Sequence, residues 1–312
     1  MVTGGAGFIG SHLVDSIIKE KPSNLVVVDN LFLGKESNLQ EARSKYPSLK
    51  LIIQDATKYK AMQSIMKKEN IEVVFNLAIV PLPVSLIKPL WAYKQNINLT
   101  MCLCKLARKG YFKSLVHFSS SEAYGSSQYI PMNEEHPFNP TISYGASKAS
   151  ADLLVLSYYH SFNIDAVIIR PFNNYGPRQN EGNHAGIIPL TIKRILSGEA
   201  PVIYEDGKQT RDFTYVADTA RVAVEIYNHL YRNTRGKVIN IGSGSEIQIN
   251  QLVGMIAAYM NYNGEITYQA ERAGDVKRHI ADTSLAQKLV YYSPLWTLQR
   301  GLRSTIEEIS KC

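Results

Sequence analysis

The sequence predicts an α/β fold, a doubly wound parallel sheet with a smaller C-terminal α/β lobe. Three observations lead there. Short apolar runs alternate with helical stretches over the first 170 residues, a glycine-spaced loop opens the chain, and polar residues gather where the apolar runs end. Such alternation is the mark of βαβ units, whose parallel strands are covered by helices on both faces.

The first element is Val2-Thr3-Gly4-Gly5-Ala6-Gly7-Phe8-Ile9-Gly10, followed by a helical pattern over 11–18. Glycines in such a loop serve a tight turn, the approach of main chain to a pyrophosphate, and close helix–strand packing. The helix N-terminus then offers free N–H groups and a positive dipole end to the anion. Gly4, Gly7, Phe8, Ile9 and Gly10 are therefore candidate cofactor residues, although the spacing is GxxGxxG rather than GxGxxG. Three residues precede the loop, against about five or six in a usual strand. Either the first strand is short, or native residues are missing before Met1.

The run 24–29 reads as a buried parallel strand ending in Asp29, 19 residues after Gly10. A carboxylate at this offset accepts hydrogen bonds from an adenosine ribose and repels a 2′-phosphate, which favours NAD over NADP. Further strands are expected over 49–53, 73–77, 115–118, 166–170 and 238–241, with helices over 56–68, 93–109 and 147–162. Ligands in such sheets bind beyond the carboxyl ends of the strands. Those ends carry Asp29-Asn30, Asp55, Asn76-Leu77-Ala78, Ser119-Ser120-Ser121-Glu122 and Pro171-Phe172-Asn173, so polar groups converge on one rim. After Pro171 the pattern loosens, and a helix-rich section begins near residue 247. The expected division is a dinucleotide domain over 1–170, to which 209–245 returns, and a substrate lobe from 171–208 and 246–312.

Composition sets outer bounds. With 312 residues and 45% hydrophobic content the chain can bury a large core. It has no run of about 18 apolar residues and no charged-then-apolar leader, so no membrane association is expected. Three cysteines make no disulfide framework, and Cys102 and Cys104, in a helical run, read as buried thiols. No His or Cys pair has zinc spacing, so no metal is expected. A reducing cytoplasm fits this usage. The net charge of +7 is scattered, without an aromatic-interleaved basic stripe, and nucleic acid is not an expected partner.

Tyr144-Gly-Ala-Ser-Lys148 puts a phenol and an ammonium one helical turn apart. A free phenol has a pKa of about 10 and is a poor base. A neighbouring ammonium and the positive nicotinamide of NAD are expected to lower it. Tyr144 would then take a proton from a hydroxyl while hydride leaves the same carbon, and Lys148 would hold the nicotinamide ribose. Ser120, 24 residues upstream, would share the hydroxyl's hydrogen bond and steady the oxyanion.

These motifs together resemble the extended short-chain dehydrogenase/reductase family, in its nucleotide-sugar epimerase/dehydratase branch. The likeness runs nearly end to end, through Gly4–Gly10, Asp29-Asn30-Leu31, Asn76-Leu-Ala78, Ser119–Gly125, Tyr144–Lys148, the stretch 170–178, Gln209-Thr-Arg-Asp-Phe-Thr-Tyr215 and Arg272-Ala-Gly-Asp275. The resemblance implies a Rossmann sheet with bound NAD, Asp55 and Ala56 bordering the adenine, and Asn96 near the cofactor. Leu77, Ala78, Ser119 and Pro171 would join that site. It implies further that Asn173, Arg211 and Arg272 hold a substrate diphosphate, Asp275 the nucleoside ribose, and Tyr204 the base. Ser121 and Arg178 would also reach the substrate. Forked arginines suit a diphosphate through charge-assisted, bidentate hydrogen bonds. Relatives of this kind commonly form homodimers by pairing two helices, here 93–109 and 145–162, into a four-helix bundle.

The shared first step in that family oxidises a sugar hydroxyl to a ketone, usually at C4. An epimerase then needs room for the keto sugar to turn; a 4,6-dehydratase needs extra acid and base groups; a decarboxylase needs basic groups around a carboxylate. The dTDP-glucose dehydratases resembling this chain have Thr-Asp-Glu where it has Ser120-Ser121-Glu122, so the acid for the leaving hydroxyl is missing. Glu122 leaves decarboxylation and C5 deprotonation open. The loop 180–186 lacks the arginine such decarboxylases carry. The favoured expectation is a UDP-sugar 4-epimerase, with UDP-glucuronate decarboxylase or 4,6-dehydratase as alternatives. A non-catalytic NAD-sensing module and a dehydrogenase with diffusible NAD are the different-class readings.

Overall fold

The computed structural model describes residues 1–180, 185–270 and 276–311. Along the chain come β1 (Val2–Thr3), α1 (Phe8–Lys19), β2 (Val26–Asp29), α2 (Gln40–Lys45), β3 (Lys50–Ile53), α3 (Tyr59–Lys68) and β4 (Val73–Asn76). Next are α4 (Leu82–Ile87), α5 (Pro89–Arg108), β5 (Ser114–Phe118), α6 (Ser143–Phe162), β6 (Asp165–Pro171), β7 (Asn173–Tyr175) and α7 (Ile187–Leu196). The remainder is β8 (Val202–Tyr204), β9 (Thr210–Arg211), β10 (Phe213–Tyr215), α8 (Val216–Asn228), β11 (Val238–Ile241) and β12 (Ile247–Gln248). It closes with α9 (Ile249–Tyr259), β13 (Thr267–Gln269), α10 (Ser284–Val290) and α11 (Leu298–Ile309).

Seven strands form one sheet in the order β11-β6-β5-β4-β1-β2-β3. Every neighbouring pair in it is parallel. The central β1 is two residues long, and Met1 and Thr3 carbonyls extend its ladder by accepting from the Phe75 and Leu77 N–H groups at 3.0 Å. Chain direction across the sheet reverses between β1 and β4, which opens a crevice beyond their carboxyl ends.

Alternation along the strands divides the core into two layers. Val27, Phe75, Val116, Val167 and Ile239 face the side covered by α1 and α8. Val26, Val28, Val74, Leu115 and Ile168 face Met62, Met66, Leu103 and Val155 of α3, α5 and α6. A third apolar cluster, including Ile188, Ile203, Phe213, Leu252, Ile256 and Leu302, joins α7, α9, α11, β8 and β10 away from the sheet.

Two helix starts differ from the sequence expectation. Asp55 accepts from the Thr57 N–H at 2.9 Å and from its hydroxyl at 2.7 Å, a local turn that delays α3 to Tyr59. Helix α6 starts at Ser143, earlier than expected. Glycine is a weak helix former, but Gly145 is needed here for closeness: a Cβ would stand 2.3 Å from the Glu122 carbonyl oxygen. Tertiary contact overrides propensity and brings Tyr144 into the helix.

A buried polar cluster ties α6 to the sheet. Asp152 accepts from Arg170 Nη2 at 2.6 Å and from Ser119 Oγ at 2.7 Å, all three being almost fully buried. The Arg170 guanidinium also lies over the rings of Tyr124, at 4.4 Å, and Phe138, at 5.0 Å. His117 Nε2 is 3.8 Å from Asp152, but burial pushes the His117 pKa down to about 3, so it is neutral. The charge pair is Asp152 with Arg170. Removing one partner of a buried pair leaves an uncompensated charge. Asp152→Ala is therefore predicted to cost about 3–5 kcal/mol, read as a lowered urea midpoint, whereas Lys113→Ala, at an exposed site, should leave that midpoint unchanged.

Candidate active site

A cleft of about 430 Å³ follows the carboxyl ends of β1, β2, β4 and β5. Every residue expected at the cofactor lines it except Asn96. Gly4 has φ +71°, and a Cβ there would lie 2.6 Å from the Ala78 nitrogen. On Gly10 a Cβ would fall 2.1 Å from the Gly4 carbonyl oxygen. The loop can thus close on itself only as glycine. No side chain caps the N-terminus of α1, and its first turn carries no acidic residue, so its N–H groups remain suited to a pyrophosphate.

Asp29 closes one side of the cleft. Its Oδ2 accepts from the Ala6 N–H at 3.0 Å and its Oδ1 from the Leu31 N–H at 2.9 Å. A carboxylate has about four acceptor sites, so capacity remains for a ribose diol. Burial raises its pKa, against those two backbone bonds. Glycine cradle, uncapped helix end and ribose acceptor together fit a nicotinamide adenine dinucleotide.

Tyr144 and Lys148 both line the opposite end of the cleft. Lys148 donates to the Phe118 carbonyl at 2.7 Å, and its Nζ stands 5.9 Å from the Tyr144 ring centroid. Burial lowers its pKa to about 8, against the opposing charge of Asp152. The ammonium keeps two further donors for a ligand. Ser120 favours the ionised form of the Tyr144 phenol, and its Oγ accepts from the Glu122 N–H at 3.2 Å.

The expectation that the ammonium depresses the phenol's pKa is corrected. Burial raises it, the Glu122 charge raises it further, and only the Ser120 hydrogen bond opposes. The reason is geometric: the ammonium is drawn to the Phe118 carbonyl rather than to the phenol. Tyr144 is a neutral phenol in this state.

Asn96 and Arg178 are both held by partners within the chain. Asn96 is buried, accepts from the Val80 N–H at 2.8 Å, and donates to Ser147 Oγ at 3.0 Å. It pins the loop after β4 to α6 and acts on the cleft through those elements. Arg178 donates to Asp15 at 2.6 Å and Glu41 at 3.2 Å. Its guanidinium holds α1 to α2 through these ion pairs. Ser121 is buried and outside the lining.

Asn173 and Arg211 are brought close by topology. Parallel pairing sets Phe213 opposite Asn173, and the Asn173 N–H donates to the Asp212 carbonyl at 3.1 Å. Arg211 donates from Nη1 to the Thr210 carbonyl at 2.9 Å. Tyr204 ends β8, with its carbonyl accepting from Gln209 at 3.0 Å. Arg272 and Asp275 lie outside the described residues, as do 181–184 of the loop 180–186. Asp212 in the 209–215 motif had no assigned role. Asp212, fully buried, accepts from the Ser243, Gly244 and Ala281 N–H groups at 2.7–3.1 Å and anchors this region to the end of β11. Sequence reading also missed Phe32, Trp91 and Gln95 in the cleft lining. Pro89 at the first turn of α5 was the available signal, since proline favours that position.

Gly10→Ala is predicted to abolish NAD binding in a fluorescence titration while leaving the far-ultraviolet circular dichroism unchanged. Lys148 loses its proton as pH rises through about 8. Because its pKa is depressed, charged Lys148 dominates below that pH and neutral Lys148 above it. NAD affinity should therefore fall as pH passes 8, a step that Lys148→Met removes.

Comparison with known proteins agrees with this geometry. The model of the NAD dependent epimerase/dehydratase family matches residues 1–242. A UDP-glucose 4-epimerase of Mycolicibacterium smegmatis is 30% identical over 311 residues, covering 98% of this chain and 97% of that protein. A UDP-N-acetyl-alpha-D-glucosaminuronate decarboxylase of Bacillus cytotoxicus is 29% identical over 320 residues, with 98% and 96% covered. The solved UDP-glucose 4-epimerase of Thermotoga maritima with UDP-glucose superposes with a TM-score of 0.92 at 31% identity, covering 99% of this chain and 98% of that one. Glycine cradle, strand-end acid and Tyr144–Lys148 helix all belong to one framework, and the chain is a member of the NAD dependent epimerase/dehydratase family.

Proposed function

We propose that this protein is a nucleotide-sugar 4-epimerase acting on a UDP-sugar through a transient 4-keto intermediate. The observation that carries the reading is that Tyr144 and Lys148 line the same cleft as the glycine cradle and Asp29. Bound NAD supplies the hydride acceptor and returns the hydride. Tyr144 Oη, ionised once the positive nicotinamide ring of NAD stands beside it, would take the C4 hydroxyl proton as the C–H bond breaks and give it back when the carbonyl is reduced on its other face. Ser120 shares the hydrogen bond to that oxygen, and Lys148 holds the nicotinamide ribose while charged. Asn173 and Arg211 hold the substrate diphosphate, with Tyr204 beside the base; Arg272 and Asp275 complete that lobe by family resemblance.

A second reading has its own support. The Glu122 charge is felt at the Tyr144 phenol, so a carboxylate stands where C5 deprotonation or decarboxylation could use it. Ser121 in place of an acid weighs against a dTDP-glucose-type dehydratase. The division into a dinucleotide domain over 1–170 with 209–245, and a sugar lobe over 171–208 and 246–312, is part of the same proposal. We also propose a cytoplasmic homodimer through α5 and α6, where Leu90, Met101, Leu153 and Phe162 are 42–65% exposed.

The test is incubation with UDP-glucose, UDP-N-acetylglucosamine and UDP-glucuronate, with products read by NMR. A C4-inverted sugar is expected, without net NADH release. A pentose with carbon dioxide, or a 4-keto-6-deoxy sugar, would replace this reading by the second one. No turnover with NAD bound would leave an NAD-sensing module. Tyr144→Phe should lower the rate about 10²–10⁴-fold with NAD still bound. A monomer in sedimentation at micromolar concentration would remove the dimer.

A further inference from the structure

Phe32 and Trp91 leave 48% and 42% of their surface in water, yet both line the NAD cleft. Their ring centroids are 6.2 Å apart at an interplanar angle of 60°, within the range of aromatic contact. They come from opposite walls. Phe32 lies three residues past Asp29, in a turn held by Asp29 on the Leu31 N–H and by Asn30 on the Phe32 N–H at 3.1 Å. Trp91 sits in the first turn of α5, and Gln95 and Leu99, one and two turns on, line the same cleft. One helix face therefore borders the cleft with Trp91 at its mouth.

The position along the cleft identifies what the rings would meet. Asp29 ends β2 and Asp55 follows β3 on one side of β1, whereas Lys148 bonds the end of β5 on the other side. A dinucleotide with its pyrophosphate on α1 and its nicotinamide by Tyr144 puts its adenosine beside Asp29 and Asp55. Adenine has a broad π-face, and aromatic side chains stack on bases without needing to read them.

We infer that Phe32 and Trp91 form an aromatic latch that stacks on the adenine and slows release of the dinucleotide. The inference rests on NAD dependence alone and not on which sugar is turned over. The latch places an apolar contact on the adenine, a part of the dinucleotide that carries no charge and takes no part in hydride transfer. It complements Asp29, which holds the neighbouring ribose by hydrogen bonds alone.

The experiment reads tryptophan emission and cofactor affinity. The chain has two tryptophans; Trp296 stacks on Tyr215 at 4.1 Å in the other lobe, so the difference between the parent and Trp91→Phe isolates Trp91. NAD added to cofactor-stripped protein should quench Trp91, and NADH should accept its excitation energy. Trp91→Ala should raise the NAD dissociation constant roughly ten- to a hundredfold, the range that base–aromatic stacking supports. Trp91→Phe, which keeps a ring, should raise it less, and Phe32→Ala should follow Trp91→Ala. Both rings are exposed, so thermal melts should stay close to the parent and mark any loss of affinity as local. Trp91 emission indifferent to NAD, or an affinity of Trp91→Ala within about twofold of the parent, overturns the latch. Emission that changes with protein concentration and not with NAD also overturns it, since a second copy of the chain would then be covering Trp91.

Discussion

The site depends on one buried carboxylate. Asp152 on α6 is held by Arg170 at the end of β6 and by Ser119 just past β5. Those bonds set the depth at which α6 lies over the carboxyl edge of the sheet. Lys148, one turn earlier, reaches the Phe118 carbonyl from that depth, and Tyr144, one turn earlier again, meets Ser120. The apolar layers on either side of the sheet provide most of the burial, but hydrophobic contact is non-directional. A buried ion pair is directional, since it repays its desolvation only in good geometry.

That same burial decides the proton inventory. It holds Tyr144 protonated and brings Lys148 to the edge of losing its proton near pH 8. Without NAD the group is a neutral phenol, and the positive nicotinamide ring would be what draws it toward the phenolate that a base requires. Among the described residues, Ser120 is the group that acts in the other direction on Tyr144. Its role is then larger than that of a spare hydrogen-bond donor: it offsets part of what the apolar setting costs the base.

The family branches at a few side chains. Its epimerases and decarboxylases match this chain at nearly equal identity, because the cradle, the base and the sheet that carries them are common equipment. What separates them is the presence and reach of extra acids and bases around the sugar. Here the relevant positions are Ser121, in place of an acid, and Glu122, whose charge reaches Tyr144. Asp212, by contrast, serves architecture, since its oxygens are taken up by backbone N–H groups and the Ser243 hydroxyl.

Local rules in the sequence determined much by themselves. Apolar runs of strand length marked six of the seven sheet strands to within about a residue, because buried parallel strands leave an unbroken apolar signature. Glycine spacing with Asp29, and Tyr144 with Lys148, were legible because each pairing is local in the chain or fixed by one βαβ unit. Arginines and asparagines were not legible in this way. Arg178 and Asn96 looked like ligands, and only the folded chain set Arg178 against Asp15 and Glu41 and Asn96 against Val80 and Ser147. The early start of α6, the Asp152 cluster and the meeting of Phe32 with Trp91 were likewise decided by tertiary structure. Each joins residues far apart in the chain, and a long polar or aromatic side chain takes its partner from whatever the packed elements bring within reach.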